Sequence, residues 1–233
     1  MLKNNPNVLR IEDDVIMEAL VQRGSAKISK RPPQPSEVFP WGVDRIDAEK
    51  VWLSGNTADP IKVGVIDTGI SNKHPDLLGN VKGGVDTINS FKSWNDDNGH
   101  GSHVAGIIAA IDNDIGVIGV GPQIDLYAIK VLGANGSGYL SDVIEGIEWA
   151  IKNHMQVINM SLGTTSDSQL LHDAVIAAKN TGIVIVAAAG NSGSSVNFPA
   201  AYPEVIAVSA TDQNNQLASW SSRGPELICL LLV

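Results

Sequence analysis

Apolar positions from residue 61 onward fall into two textures. IKVGVI (61–66), DLYAIKVL (125–132), QVINMSL (156–162), GIVIVAAA (182–189) and EVIAVSA (204–210) are short, nearly continuous, β-branched runs. That pattern predicts strands covered on both faces. Between them the apolar period lengthens. In SDVIEGIEWAIKNH (141–154), Val143, Ile144, Ile147, Ala150 and Ile151 share one helical face, with Ser141 placed to cap the start. In SQLLHDAVIAAKN (168–180), Leu170, Leu171, Ala174, Val175 and Ala178 do the same, and Gly182 follows as a stop. Alternating strands and helices predict an α/β fold: a three-layer, doubly wound, mostly parallel sheet with helices on both faces. Function in such sheets gathers at the carboxyl ends of the strands.

Residues 1–35 are different. NVLRIEDDVIMEAL (7–20) has the makings of one strand, and KISKRPPQPS (27–36) reads as an extended linker because its prolines block regular pairing. So short a piece builds no core of its own, so residues 1–35 read either as an arm that docks on the one domain (36–233) or as the remnant of a segment cut short.

Composition narrows the partners. The 233 residues are 43% hydrophobic and 18% charged, enough for one well-packed globular domain. A formal net charge of −9 argues against nucleic acid or an anionic membrane, both of which need clustered Lys and Arg. Cys229 is the single cysteine, which excludes a disulfide framework and a thiolate metal cluster. No stretch approaches the roughly 20 apolar residues of a membrane span. The opening MLKNNPNVLRIEDD lacks the charged-then-apolar pattern of a secretory signal.

Candidate chemistry sits where the strands end. Asp67 directly follows IKVGVI, where it can serve a site or merely close an Asx-turn. NGHGSHVAG (98–106) opens a helix with His100 and His103 on one face. Those two can bind a metal with Asp67 or Asp97. Alternatively one is a general base oriented by a carboxylate and the other is scaffold. Asn191, in AAAGNSG (187–193), ends a strand and can donate to an oxyanion or simply form a turn. Glycine-rich edges at MSLG (160–163) and GANGSGY (133–139) can hydrogen-bond an extended peptide as an added strand, or be turns. No glycine segment matches a phosphate loop.

VIDTGI, HPDL, NGHGSHVAG, IGVIGV, VLGANGSG, EWAIKNHMQVINMSLG, AAAGNSG and AVSATDQNNQLASWSSRGPEL together resemble the subtilisin-like serine proteases, in order and spacing, from about Trp41 to Leu227. The resemblance implies Asp67 as the carboxylate that orients a general base, His100 as that base, His103 as scaffold and Asn191 as the oxyanion donor. It implies two substrate edges, Gly136–Ser137–Gly138 and Ser161–Leu162–Gly163, with Ala188, Ala189 and Gly190 lining the specificity pocket. It also implies a structural Ca²⁺ held by Asp76, Asn113 and the carbonyls of Ile111, Ile115 and Val117, with Glu37 where the family often has Gln. On the same grounds residues 1–35 resemble the last strand and processing region of an inhibitory propeptide. The implied partners are extended protein or peptide substrates and the chain's own propeptide, and the implied state is a secreted monomer.

One motif is missing. The family's nucleophile lies in a GTSMA-type segment that opens a helix downstream of SSRGPEL, and ICLLLV stands there instead. Ser221, Ser222 and Ser161 occupy other motifs. The sequence reading is therefore a subtilisin-type protease chain cut short before its serine, and inactive as given. The alternatives are a peptide-binding fragment or pseudoprotease, and a metallohydrolase built on His100 and His103.

Overall fold

The computed structural model describes residues 5, 7–20 and 35–232; most of the 27–36 linker lies outside them. In chain order the elements are β1 (Ile16–Ala19), α1 (Trp41–Arg45), α2 (Ala48–Trp52), β2 (Lys62–Asp67), β3 (Val81–Asp86) and α3 (His100–Ala109). They continue with β4 (Asp125–Lys130), β5 (Ser137–Tyr139), α4 (Leu140–Lys152), β6 (Val157–Met160) and β7 (Leu162–Gly163). The last are α5 (Gln169–Asn180), β8 (Val184–Ala188), β9 (Ile206–Thr211) and β10 (Leu227–Leu232).

Seven strands form one sheet in the order β10-β9-β8-β6-β2-β4-β3, with every pairing parallel. β2 explains the layering. Its Val63 and Val65 join Leu126, Ala105 and Ala109 on one face, while Ile66 joins Ile129, Ile147 and Ile158 on the other. Side chains alternate along a strand, so an unbroken apolar run feeds two cores at once. Each buried Ile or Val is worth about 1.5–3 kcal/mol, and α3 covers one face while α4 and α5 cover the other. β2 is also where the strand order turns. β3 and β4 lie to one side of it, β6 and its successors to the other. The carboxyl end of β2 is thus the switch point at which such sheets build sites, and Asp67 ends it.

All five predicted strands and all three predicted helices form within a few residues of their expected bounds. Two strands escape sequence reading. β3 carries Gly83 and Gly84, which break the apolar run; a Cβ on Gly84 would stand 2.2 Å from the Ala128 carbonyl oxygen. β10 (Leu227–Leu232, LICLLL) is paired parallel to β9 at the sheet edge. Two finer expectations are corrected. Leu170 is 37% exposed, because α5 turns Leu171, Val175 and Ala178 inward instead. Ser141 is not the cap of α4: Tyr139 is, with its N–H donating to Asp142, and Ser141 lies inside the helix. Ser168 does cap α5, accepting from the Leu171 N–H at 3.2 Å.

A second, three-stranded sheet has the order β5-β1-β7. Here the N-terminal arm lies between the two glycine-rich edges, antiparallel to both.

Candidate active site

The Asp67 carboxylate is fully buried at the end of β2. Its Oδ1 accepts hydrogen bonds from the Thr68 N–H and from Nδ1 of His100, both at 2.7 Å. The histidine contact is therefore present, whereas the Thr68 bond spans a single residue and is not the anticipated Asx-turn, which would take the Gly69 N–H. Asp67 Oδ2 is buried without a partner.

His100 reaches Asp67 because α3 starts almost on top of the β2 turn. Gly101 makes that approach possible: a Cβ there would meet the Gly69 carbonyl oxygen at 2.1 Å and Asp67 Cβ at 3.2 Å. Thr68 joins the two elements, accepting from the Gly101 N–H and donating to Asp96 Oδ1, each at 2.9 Å. Asp96 in turn accepts from the N–H groups of Asn98, Gly99 and Ser102 and from the Ser102 hydroxyl. Burial pushes the Asp96 carboxyl up, but these bonds outweigh it and hold it below the usual carboxylate range. Neither Thr68 nor Asp96 was singled out from sequence. Asp96 stands four residues before His100, where only its chain neighbourhood hints at a role.

Burial alone would lower the His100 imidazole. The hydrogen bond and charge of Asp67, then the charge of Asp96 and the Leu20 carbonyl, more than offset it, so the ring sits above its usual value. His103 stays exposed on α3 and does not join the pair. Among the described residues no three His, Cys, Asp or Glu side chains cluster as metal ligands, which removes the His100–His103 metal site.

Both glycine-rich edges pair with β1 of the same chain. Ile16, Met17 and Glu18 pair with Tyr139, Gly138 and Ser137; Glu18 and Ala19 pair with Gly163 and Leu162. The Ala19 N–H donates to the Gly136 carbonyl at 2.8 Å and the Leu20 N–H to the Ser161 carbonyl at 3.0 Å. Met17 is fully buried and belongs to the same core as Leu132, Leu140 and Leu162. Glu18, Ala19, Leu20, Asn98, Asn135, Gly136, Ser137 and Asn191 line a cavity of about 250 Å³. Asn191 therefore opens onto the space next to Leu20. Ala188 ends β8, and Ala189 and Gly190 lead on to Asn191. Gly190 has φ +120°, and a Cβ would press on the Ser222 hydroxyl at 2.7 Å, so only glycine suits this turn.

The arm is anchored by its acids, which sequence reading did not single out. Asp14 accepts from the N–H and hydroxyl of Ser141 in the first turn of α4. Glu12 accepts from the hydroxyl of Ser168 at the start of α5. Carboxylates at two helix N-termini are favoured by the helix dipoles.

On the far side, the 111–117 loop wraps Asp76, whose Oδ2 accepts from the Val117 N–H at 3.1 Å while Oδ1 is buried without a partner. Asn113 Oδ1 accepts from the Ile115 N–H, and Glu37 accepts from the Asn113 N–H. Residues 35–38 pair along this loop.

No serine hydroxyl among the described residues is hydrogen-bonded to His100. Ser161 Oγ accepts from Asn159, Ser221 Oγ from the Ala210 N–H, Ser192 joins Ser194 and Ser222, and Ser102 donates to Asp96.

A parallel α/β sheet thus carries a buried Asp–His pair at its switch point, beside the groove in which β1 lies. Residues 58–231 match the family described as the Subtilase family, and the chain belongs to it. The chain is 45% identical over 228 residues to the minor extracellular protease Epr of Bacillus subtilis, covering 97% of this chain and 35% of that protein. It is 48% identical over 227 residues to a thermostable alkaline protease of Halalkalibacterium halodurans, covering 97% and 58%. It is 51% identical over 193 residues to Subtilisin Savinase of Lederbergia lenta, covering 82% and 71%. The chain thus spans about a third to just over two thirds of the length of these relatives.

Proposed function

We propose that this chain supplies the Asp–His half of a serine endopeptidase acting on extended peptides, and that its own arm occupies the cleft as an inhibitory segment. The observation that carries this reading is β1, held antiparallel between the two edges with Leu20 against His100. A backbone so placed sets a carbonyl beside His100, in the region where a nucleophile activated by that base would attack. Nδ1 of His100 donates to Asp67, so Nε2 is the nitrogen that would take the proton of an attacking hydroxyl once the arm, whose Leu20 carbonyl now stands at the ring, is displaced. The Asn191 amide, beside Leu20, is suited to donate to the oxyanion that attack creates. On this reading residues 1–35 form the inhibitory segment and its linker, residues 36–233 the peptidase domain, and the working state is a secreted monomer. The bond presented to His100 follows Leu20, whereas residues 35–38 lie against the 111–117 loop.

The same reading includes a structural Ca²⁺ at Asp76. The orphaned, buried Asp76 Oδ1 and the oxygen-rich 111–117 loop suit a hard cation. Asp76, Asn113 and the carbonyls of Ile111, Ile115 and Val117 would hold it, with Glu37 bracing Asn113. The ion would neutralise Asp76 and brace the loop without entering the chemistry.

Because no serine hydroxyl among the described residues is hydrogen-bonded to His100, on this reading the 233-residue polypeptide by itself does not hydrolyse peptides. A fluorophosphonate probe, with an active subtilase as positive control, tests this. No labelling is expected; stoichiometric labelling of one serine overturns it.

A further inference from the structure

A buried cation beside the site has no part in the chemistry above. Lys130 is 5% exposed at the end of β4, and in the strand register it faces Asp67 of β2 on one side and Asp86 of β3 on the other. The three donors of its ammonium each find one acceptor: the Thr68 carbonyl at 2.7 Å, Asp97 Oδ1 at 2.7 Å and the Leu132 carbonyl at 2.8 Å. Each acceptor belongs to a different part of the site. Thr68 follows Asp67, Asp97 lies in the loop that enters α3 three residues before His100, and Leu132 begins the segment that becomes the β5 substrate edge.

We propose that Lys130 is a positioning residue for the Asp67–His100 pair, tying the Asp67 turn, the His100 loop and the substrate edge at one point. Thr68 is then fixed on both sides. Its carbonyl is held by Lys130, while its hydroxyl is held between Asp96 and the Gly101 N–H. The turn that carries Asp67 has little freedom left, and His100 meets its carboxylate at a set distance. Cost supports this. Desolvating an ammonium is expensive, and an apolar side chain filling the end of β4 would stabilise the fold at least as well. What an apolar residue cannot do is hold two carbonyls and a carboxylate from three loops in one geometry.

The proposal rests on the reading of His100 as the base, and its test keeps the two apart. His100 is faced by Asp67, Asp96 and the Leu20 carbonyl; Lys130 acts on it only through the turn and loop. Lys130→Met keeps the stem and removes the ammonium. Asp97→Asn weakens only the half-exposed arm of the bridge. The His100 ring is titrated by NMR in the full chain, with thermal unfolding measured alongside. Positioning predicts that Lys130→Met lowers the His100 pKa by roughly half a unit or more, as the Asp67 bond loosens. Asp97→Asn should give a smaller fall of the same sign. A rise in Lys130→Met would mean that the lysine acts only as a nearby positive charge, and no change would mean that it is structural alone. Either result overturns the proposal. If Lys130→Met does not fold, Lys130→Arg decides: it keeps the charge and changes the donor geometry, so a fall supports positioning and an unchanged titration overturns it. Should Asp67→Asn leave the ring titration unmoved, the base reading fails whatever Lys130 does.

Discussion

Nδ1 of His100 lies 2.7 Å from Oδ1 of a fully buried Asp67, the last residue of the strand at which the sheet order reverses. Because this pair raises the imidazole pKa on folding, it links stability to pH. A raised folded-state pKa contributes stability that is fully present below the unfolded histidine value, near 6.5. The contribution is lost as pH rises through the folded value. Asp67→Asn should therefore bring the His100 pKa down, and the variant should lose more stability at pH 5 than at pH 9. NMR titration and denaturant unfolding at the two pH values check this. An unchanged ring titration would refute the coupling.

Gly101 sets how closely α3 approaches that turn. Gly101→Ala inserts a methyl group 2.1 Å from the Gly69 carbonyl oxygen, so helix and turn must part. Overpacking of this kind costs about 1–3 kcal/mol. The displacement should also lower the His100 pKa, whereas Gly106→Ala, on the same helix but facing open space, should do neither. Equal behaviour of the two variants would contradict the account.

Asp76 tests the calcium reading through stability alone. Ca²⁺ at a hundredfold excess over its dissociation constant should stabilise the chain by about 2.7 kcal/mol. Calorimetry with Ca²⁺ and with chelator should show that shift in the native chain. Asp76→Ala should abolish it. An equal shift in both proteins would place the ion elsewhere.

Most of the fold was legible because β2, β4, β6, β8 and β9 carry nearly continuous apolar runs, the texture of strands in a sheet covered by helices. β3 was hidden by Gly83 and Gly84, which contribute close backbone approach in place of side chains. At the site, Asp67, His100 and Asn191 were visible as motif residues at strand and helix ends. Thr68, Asp96 and Lys130 were not, since their roles are bonds made between loops that only the folded sheet brings together. Ser141 misled for a related reason. Its neighbour in space is Asp14, 127 residues away in the chain. No local pattern contains that distance.

The central claim is that the cleft holds residues 16–20 as it would hold a substrate, with Leu20 at His100. Amide hydrogen exchange at Ala19 and Leu20 tests it most directly, since their N–H groups donate to the Gly136 and Ser161 carbonyls. The account predicts slow exchange at both amides in the native chain. Met17→Asp, which forces a carboxylate into an apolar core, should release the arm and speed both by at least tenfold while the β2 amides stay protected. Fast exchange at Ala19 and Leu20 in the native chain would contradict it.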